Sequence, residues 1–209
     1  MHPEALTAEA KLLVPKLAEF KDFHLVGGTA LALQIGHRIS VDFDLFSTEP
    51  LDPRLESLIV RKFKFLNPTT TFRAPYQLNL LINNVKVTFF QFEYPVINPL
   101  IMFEKMNLVN IPEIAAMKAF AMGRRLSYKD YVDWYFMLNE SHITIGDVIV
   151  FAEKKFGAQF NDRLFLGQLL SISDVKDQDI EFLREKVDRE TIERYLAKTV
   201  KKFTEQKIK

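Results

Sequence analysis

Apolar positions at helical spacing (Leu6, Leu12, Leu13 and Leu17) predict a helix over residues 4–20, with Pro15 marking a kink or a boundary. The run "FHLVGG" predicts a short buried strand that ends in a glycine turn, and "TALALQIGH" a short helix. "VDFDLF" alternates and predicts a strand, while Leu55, Leu58, Ile59 and Phe63 line one face of an amphipathic helix in "LDPRLESLIVRKFKF". "TTTFRA", "QLNLLIN" and "VKVTFFQF" continue as strands, the last two flanking Asn83-Asn84 as a tight hairpin turn. The first hundred residues thus mix helices with four or five strands, at least two of them antiparallel neighbours. From Pro112 onward almost every segment has helical spacing. Pro112 suits the first turn of a helix, and Glu113 favours its positive end. The expected architecture is an α/β (α+β) module over residues 1–108, followed by a helical lobe over 109–209 packed on it.

One segment breaks the rule that strands hide apolar residues. Asp42 and Asp44 stand inside the apolar stretch "VDFDLF", one short helix downstream of a glycine pair, Gly27-Gly28. Buried charge is expensive unless it is paired or binds a metal. On a strand, residues two apart project to the same face, so the two carboxylates repel each other and a cation relieves them. Mg²⁺ suits such oxygen ligands, taking one or two carboxylates together with substrate phosphate oxygens. The glycines lie where a strand becomes a helix, and the helix N-terminus offers N–H donors to a phosphate. A triphosphate held at Gly28 and by the added hydroxyl of Thr29 would share its metal with the aspartates. The plainer alternative is a glycine turn followed by an edge strand whose aspartates face water. His37 and Arg38 precede the pair, either as polar loop residues or with Arg38 on a phosphate.

Composition narrows the classes. With 209 residues the chain can bury a core, and its 19 phenylalanines make that core rich in Phe. A net charge of +1 predicts no strong overall attraction to nucleic acid. The absence of cysteine excludes disulfides, thiolate catalysis and cysteine-based zinc sites, in keeping with a reducing cytoplasm. The N-terminus lacks a signal-peptide layout, and no apolar run approaches the roughly 20 residues needed to span a bilayer, so no membrane is expected as a partner.

The combination of glycine pair, spacer and Asp-x-Asp resembles the nucleotidyltransferase superfamily that includes DNA polymerase beta. More closely, three stretches resemble the AbiEii/AbiGii toxin family of nucleotidyltransferases: "GGTALALQIGHRISVDFDLF", "IPEIAAMKAFAMGRR" and "KDYVDWYFML". The resemblance implies a nucleotidyltransferase-like mixed sheet with flanking helices and a helical C-terminal part. It implies Mg²⁺-dependent use of a nucleoside triphosphate (NTP), transfer of a nucleotide to an acceptor such as transfer RNA or other RNA, and neutralisation by an antitoxin protein. Carried onto this chain, it gives Asp42 and Asp44 as metal ligands, Gly27, Gly28, Thr29 and Arg38 as nucleotide-binding residues, and Lys118 and Asp130 as catalytic residues, Lys118 also on the triphosphate. Arg124 and Arg125 are open additions. Asp130 is in addition the N3 member of a capping box with Ser127, and Asp133 follows one turn later. Tyr131, Trp134, Tyr135 and Leu138 are expected to form the packing face of that helix, a base-stacking platform being the alternative.

One departure stands out. Many superfamily members carry a third carboxylate on a later strand, where this chain has Thr88. Glu93, five residues on, faces the opposite side of a regular strand. Either Asp130, Asp133 or Glu93 replaces that acid, or the chain is a non-catalytic nucleotide-binding module of the same fold that has lost turnover. The basic end "KTVKKFTEQKIK" is a solvated helix end or a contact for RNA phosphates.

Overall fold

The alternation seen around Asp44 extends across an entire sheet. In the computed structural model, residues 1–122 and 127–207 are described, and they divide into two units, Met1–Asn110 and Ile111–Lys209. The first contains α1 (Ala8–Leu17), β1 (His24–Val26), α2 (Gly27–Ile35), β2 (Phe43–Ser47) and α3 (Leu55–Lys62). They are followed by β3 (Thr69–Ala74), β4 (Gln77–Ile82), β5 (Val85–Gln91), β6 (Ile101–Phe103) and β7 (Met106–Leu108). The seven strands form one mixed sheet in the order β3-β4-β5-β2-β1-β7-β6. β2 runs parallel to β5 and antiparallel to β1, and β1 runs parallel to β7.

Residues in register share a face of the sheet. One row reads Leu78, Phe89, Leu45, Leu25, Leu108, and all five are buried. The helices contribute Leu13, Leu17, Leu31, Leu33 and Ile35 to the same core. Each such side chain contributes about 1.5–3 kcal/mol on burial, so the register is strongly specified. A one-residue slip would turn the whole apolar row outward. The next row, on the opposite face, reads Asn79, Thr88, Asp44, Val26.

The local signals explain most elements. Thr7 caps α1 by accepting the Ala10 N–H at 3.2 Å, and the helix runs two residues past Pro15. Asn83 and Asn84 have φ of 51° and 63°, the conformation a two-residue hairpin of type I′ requires. Leu55, Ile59 and Phe63 are buried as expected, while Leu58 is 38% exposed. β6 and β7 were not expected from the pattern. They are three residues each, and their turn is Glu104-Lys105, both at positive φ, a pair with no turn signature.

The second unit comprises α4 (Ile111–Met122), α5 (Tyr128–Asn139), α6 (Ile145–Phe156), α7 (Asp162–Leu169) and α8 (Arg189–Lys207). Trp134 is fully buried and packs on Phe165 with ring centroids 5.1 Å apart, and Phe120 stacks on Phe156 at 3.9 Å. The Tyr131 hydroxyl donates to the Gln168 carbonyl at 2.7 Å, and burial pushes its phenol up to about 12. The expected packing role of this face is thus what the structure shows for Tyr131 and Trp134. Thr144 and Asp147 form a reciprocal capping box on α6. The capping box expected at Ser127 and Asp130 is absent. Ser127 is the N-cap of α5 but makes no side-chain cap. Its hydroxyl lies 3.1 Å from Gln178 Oε1, and the Asp130 carboxylate goes to a lysine instead.

Glu113, at the start of α4, is buried and accepts from Lys155 Nζ of α6 at 2.5 Å. Both side chains are nearly inaccessible, 1% and 2% exposed. Breaking such a pair strands a charge, whereas replacing both members with apolar groups is often neutral or stabilising. Lys155→Met is therefore expected to destabilise the protein by about 3–5 kcal/mol, and Lys155→Met with Glu113→Leu to recover most of that loss. Urea denaturation of the three proteins checks this; equal losses in the single and double variants would mean that the pair carries no specific interaction.

Candidate active site

The acidic segment and the glycine turn meet at one point of the first unit. β1 ends at Val26, and α2 opens at Gly27 with φ +71°, in the left-handed region that glycine adopts freely. A Cβ placed on Gly27 would lie 2.9 Å from Asp44 Oδ2. Gly27 is thus required twice, by its backbone angle and by the carboxylate lying against it. Val26, the N-cap, makes no side-chain cap, as its apolar side chain dictates. The first-turn N–H groups at Gly27, Gly28 and Thr29 therefore have no capping side chain at Val26, and this positive helix end attracts anions.

Asp44 is half-buried on β2 and is fixed in the ladder between Val26 and Thr88. Asp42 is also half-buried but lies one residue before the strand, which begins at Phe43. The expectation that both aspartates sit on one strand is corrected here. On the β1 side the chain has already turned into α2, so no strand residue remains to pair with Asp42. Its carbonyl instead accepts from Thr29 Oγ1. Thr29 was expected to offer this hydroxyl to a phosphate. It is 2% exposed, and the hydroxyl is shared between Asp42 and Ser40, leaving the backbone N–H as the group it presents at the helix end. His37 and Arg38 lie between α2 and β2 and are both buried, and Arg38 Nη1 donates to the Ile39 carbonyl at 3.1 Å.

Thr88 sits directly beside Asp44 in the parallel β2–β5 register, with Asn79 on its other side. Glu93 lies beyond the end of β5 and is exposed. Among the described residues no group of three His, Cys, Asp or Glu side chains is placed to hold a metal. The donor set at this end of the sheet is two carboxylates, which matches the habit of Mg²⁺ of taking one or two carboxylates and completing its shell with phosphate oxygens and water.

In the second unit, Lys118 of α4 reaches two carboxylates of α5, Asp130 Oδ1 at 2.8 Å and Asp133 Oδ2 at 2.6 Å. The two aspartates are one turn apart and so share a helix face. All three side chains are at most 12% exposed. Burial pulls the Lys118 ammonium down, but the Asp130 and Asp133 charges outweigh it, and the ammonium is held above the usual lysine range. Asp133, one turn after Asp130, is the more buried of the two. The i, i+3 spacing from Asp130 was the signal for it. Arg124 and Arg125 lie outside the described residues.

Residues 11–209 match the family described as nucleotidyl transferase AbiEii toxin, type IV TA system. The chain belongs to this family. A protein of Aquifex aeolicus strain VF5, itself uncharacterized, is 31% identical over 207 residues, covering 94% of this chain and 95% of that one. Two solved structures share the fold. One is a candidate nucleotidyltransferase from H. pylori, with TM-score 0.60 and 19% identity over 94% of this chain and 92% of that one. The other is MenT4, a nucleotidyltransferase toxin of Mycobacterium tuberculosis H37Rv, with TM-score 0.53 and 15% identity over 93% and 84%. The mixed sheet and helical unit are thus those of a nucleotidyltransferase, and membership in a toxin–antitoxin family implies an antitoxin partner. Among the described residues no helix is long and apolar enough to cross a membrane.

The contact of Gly27 with Asp44 yields a direct test. Gly27→Ala should destabilise the first unit by about 1–2 kcal/mol from the left-handed angle alone, plus the cost of displacing the carboxylate. In Gly27→Ala with Asp44→Ala the displacement vanishes and only the angle remains. A double-mutant cycle by thermal unfolding should therefore show a coupling above about 0.5 kcal/mol. Additive losses would place the carboxylate away from the glycine.

Proposed function

We propose that the chain is a Mg²⁺-dependent nucleotidyltransferase that transfers a nucleotide from an NTP to an acceptor, RNA in the first instance, as the toxin of a cytoplasmic toxin–antitoxin pair. The observation that carries this reading is the Asp44 carboxylate against the first turn of α2. The Asp44 carboxylate lies against a helix N-terminus, the kind of end that attracts phosphate, and the backbone of Asp42 is tied to the same turn. A triphosphate there would crowd like charges unless a cation joined them.

In this reading the backbone N–H groups of Gly27, Gly28 and Thr29 hold the triphosphate, and the Arg38 guanidinium adds positive charge. Asp42 and Asp44 hold the Mg²⁺, which when bound neutralises charge on the transferring phosphate. Lys118 and Asp130 of the helical unit carry the catalytic roles that the family resemblance implies. Their ion pair supports a joint role, because each fixes the geometry of the other. A second reading has one observation in its favour. Thr88, not a carboxylate, stands beside Asp44, which suits a module that binds a nucleotide without turning it over.

Purified protein incubated with labelled NTPs, Mg²⁺ and total RNA separates the two. The enzyme reading predicts label in RNA, reduced more than about 100-fold in Asp44→Asn, since even outer partners of a bound metal are typically worth 10–100-fold. Nucleotide binding with no label in RNA or protein would support the module instead. Label transfer that survives unchanged in both Asp42→Asn and Asp44→Asn would refute the assignment of the metal.

A further inference from the structure

Asp44 is held by the sheet, but Asp42 is not. β2 begins one residue after it, so the ladder that fixes Asp44 on both sides gives Asp42 no bond. A carboxylate that shares a cation with its neighbour needs a fixed backbone. Here that backbone is tied down by the Thr29 hydroxyl, which the Ser40 hydroxyl in turn contacts.

The direction of this tie follows from counting hydrogens. Thr29 Oγ1 donates to the Asp42 carbonyl, which can only accept. A hydroxyl has one hydrogen, so the 2.7 Å contact between Thr29 Oγ1 and Ser40 Oγ runs from Ser40 to Thr29. The relay is therefore Ser40 O–H to Thr29 O–H to Asp42 C=O, with no freedom to reverse. Thr29 and Ser40 are 2% and 8% exposed, so water competes poorly for either hydroxyl. Ser40 is itself anchored. Its N–H donates to the Ala5 carbonyl at 2.8 Å, and it forms an isolated parallel bridge with Leu6. The segment that carries these anchors is fixed in turn, since the His2 N–H donates to the Leu33 carbonyl at 2.7 Å and the His2 ring lies where a Cβ on Gly36 would be.

The geometry assigns Thr29 and Ser40 as positioning residues for Asp42: Thr29 fixes the backbone that carries the carboxylate, and Ser40 orients the Thr29 hydroxyl. This rests on the reading that Asp42 and Asp44 hold a divalent cation. Ser40 has no direct part in that reading, and the side chain of Thr29 takes a role distinct from its backbone N–H.

Manganese serves as the probe, titrated into the full chain with a non-hydrolysable NTP analogue and followed by electron paramagnetic resonance. Thr29→Val keeps the shape of the side chain and removes the donor; it should weaken Mn²⁺ binding about tenfold, the lower end of what outer partners of a metal contribute. Ser40→Ala should weaken it by a smaller factor, because Thr29 keeps its bond to Asp42. Thr29→Ser, which retains the hydroxyl, should restore wild-type binding. Wild-type Mn²⁺ affinity in Thr29→Val, or equal losses in Thr29→Val and Thr29→Ser, would overturn the assignment. If Thr29→Val fails to fold, Ser40→Ala carries the test, and wild-type affinity there overturns the relay. Asp42→Asn in the same titration separates the two levels. Weakened binding in Asp42→Asn with wild-type binding in Thr29→Val sinks only the positioning role. Wild-type binding in Asp42→Asn sinks the metal reading and the positioning role with it.

Discussion

The carboxylate of Asp44 lies 2.9 Å from where any residue but glycine at position 27 would place its Cβ. Much of the first unit follows from that approach. It requires β1 to stop at Val26 and the chain to turn at once into α2, with a backbone angle that glycine reaches at little cost. It agrees with the β1–β2 register that the buried apolar row sets, in which Val26 stands opposite Asp44 while Leu25 and Leu45 face the core. It also leaves Asp42 without a partner strand on that side, so that residue is held by hydroxyl groups rather than by the sheet.

The two units treat charge differently. In the helical unit, two buried lysines sit against carboxylates, Lys155 with Glu113 and Lys118 with Asp130 and Asp133. The Lys118 cluster carries two negative groups for one positive group, and its ammonium is raised because that attraction exceeds the cost of burial. Removing Lys118 would leave two buried carboxylates facing each other, so the helical unit depends on that position for stability. In the first unit, Asp42 and Asp44 lie half-buried at a helix N-terminus. The favourable dipole end there can accept more negative charge than the pair alone supplies, provided a cation is shared.

Much of this was legible in the residues. The alternation of "VDFDLF" gave the buried face of β2, the Asn-Asn pair gave a hairpin turn, and the glycine pair gave the strand-to-helix turn, because each rests on local geometry that few residue types satisfy. Thr88 was singled out by the family resemblance, which implies an acid at that place on the later strand, and the parallel β2–β5 register sets it beside Asp44. Less legible was whatever depends on distant partners. β6 and β7 are too short to show a period, and they exist because β7 pairs with β1 some eighty residues earlier. Ser127 and Asp130 have the spacing of a capping box, but a buried lysine competes for the carboxylate and prevails, since a charge-assisted bond in a dry site is the stronger one. The hydroxyl of Thr29 could be assigned to a phosphate from sequence because nothing local reveals that Ser40 and the Asp42 carbonyl lie within its reach.

The central claim is that one cation and one triphosphate share the corner formed by Asp42, Asp44 and the first turn of α2. A crystal of the protein grown with Mn²⁺ and a non-hydrolysable NTP tests it most directly, through an anomalous difference map recorded at the manganese edge. The account predicts a peak within coordination distance of both Asp42 and Asp44 carboxylates, with phosphate density on the N–H groups of Gly27, Gly28 and Thr29. A manganese peak away from both aspartates, or phosphate density elsewhere with this turn empty, would contradict it.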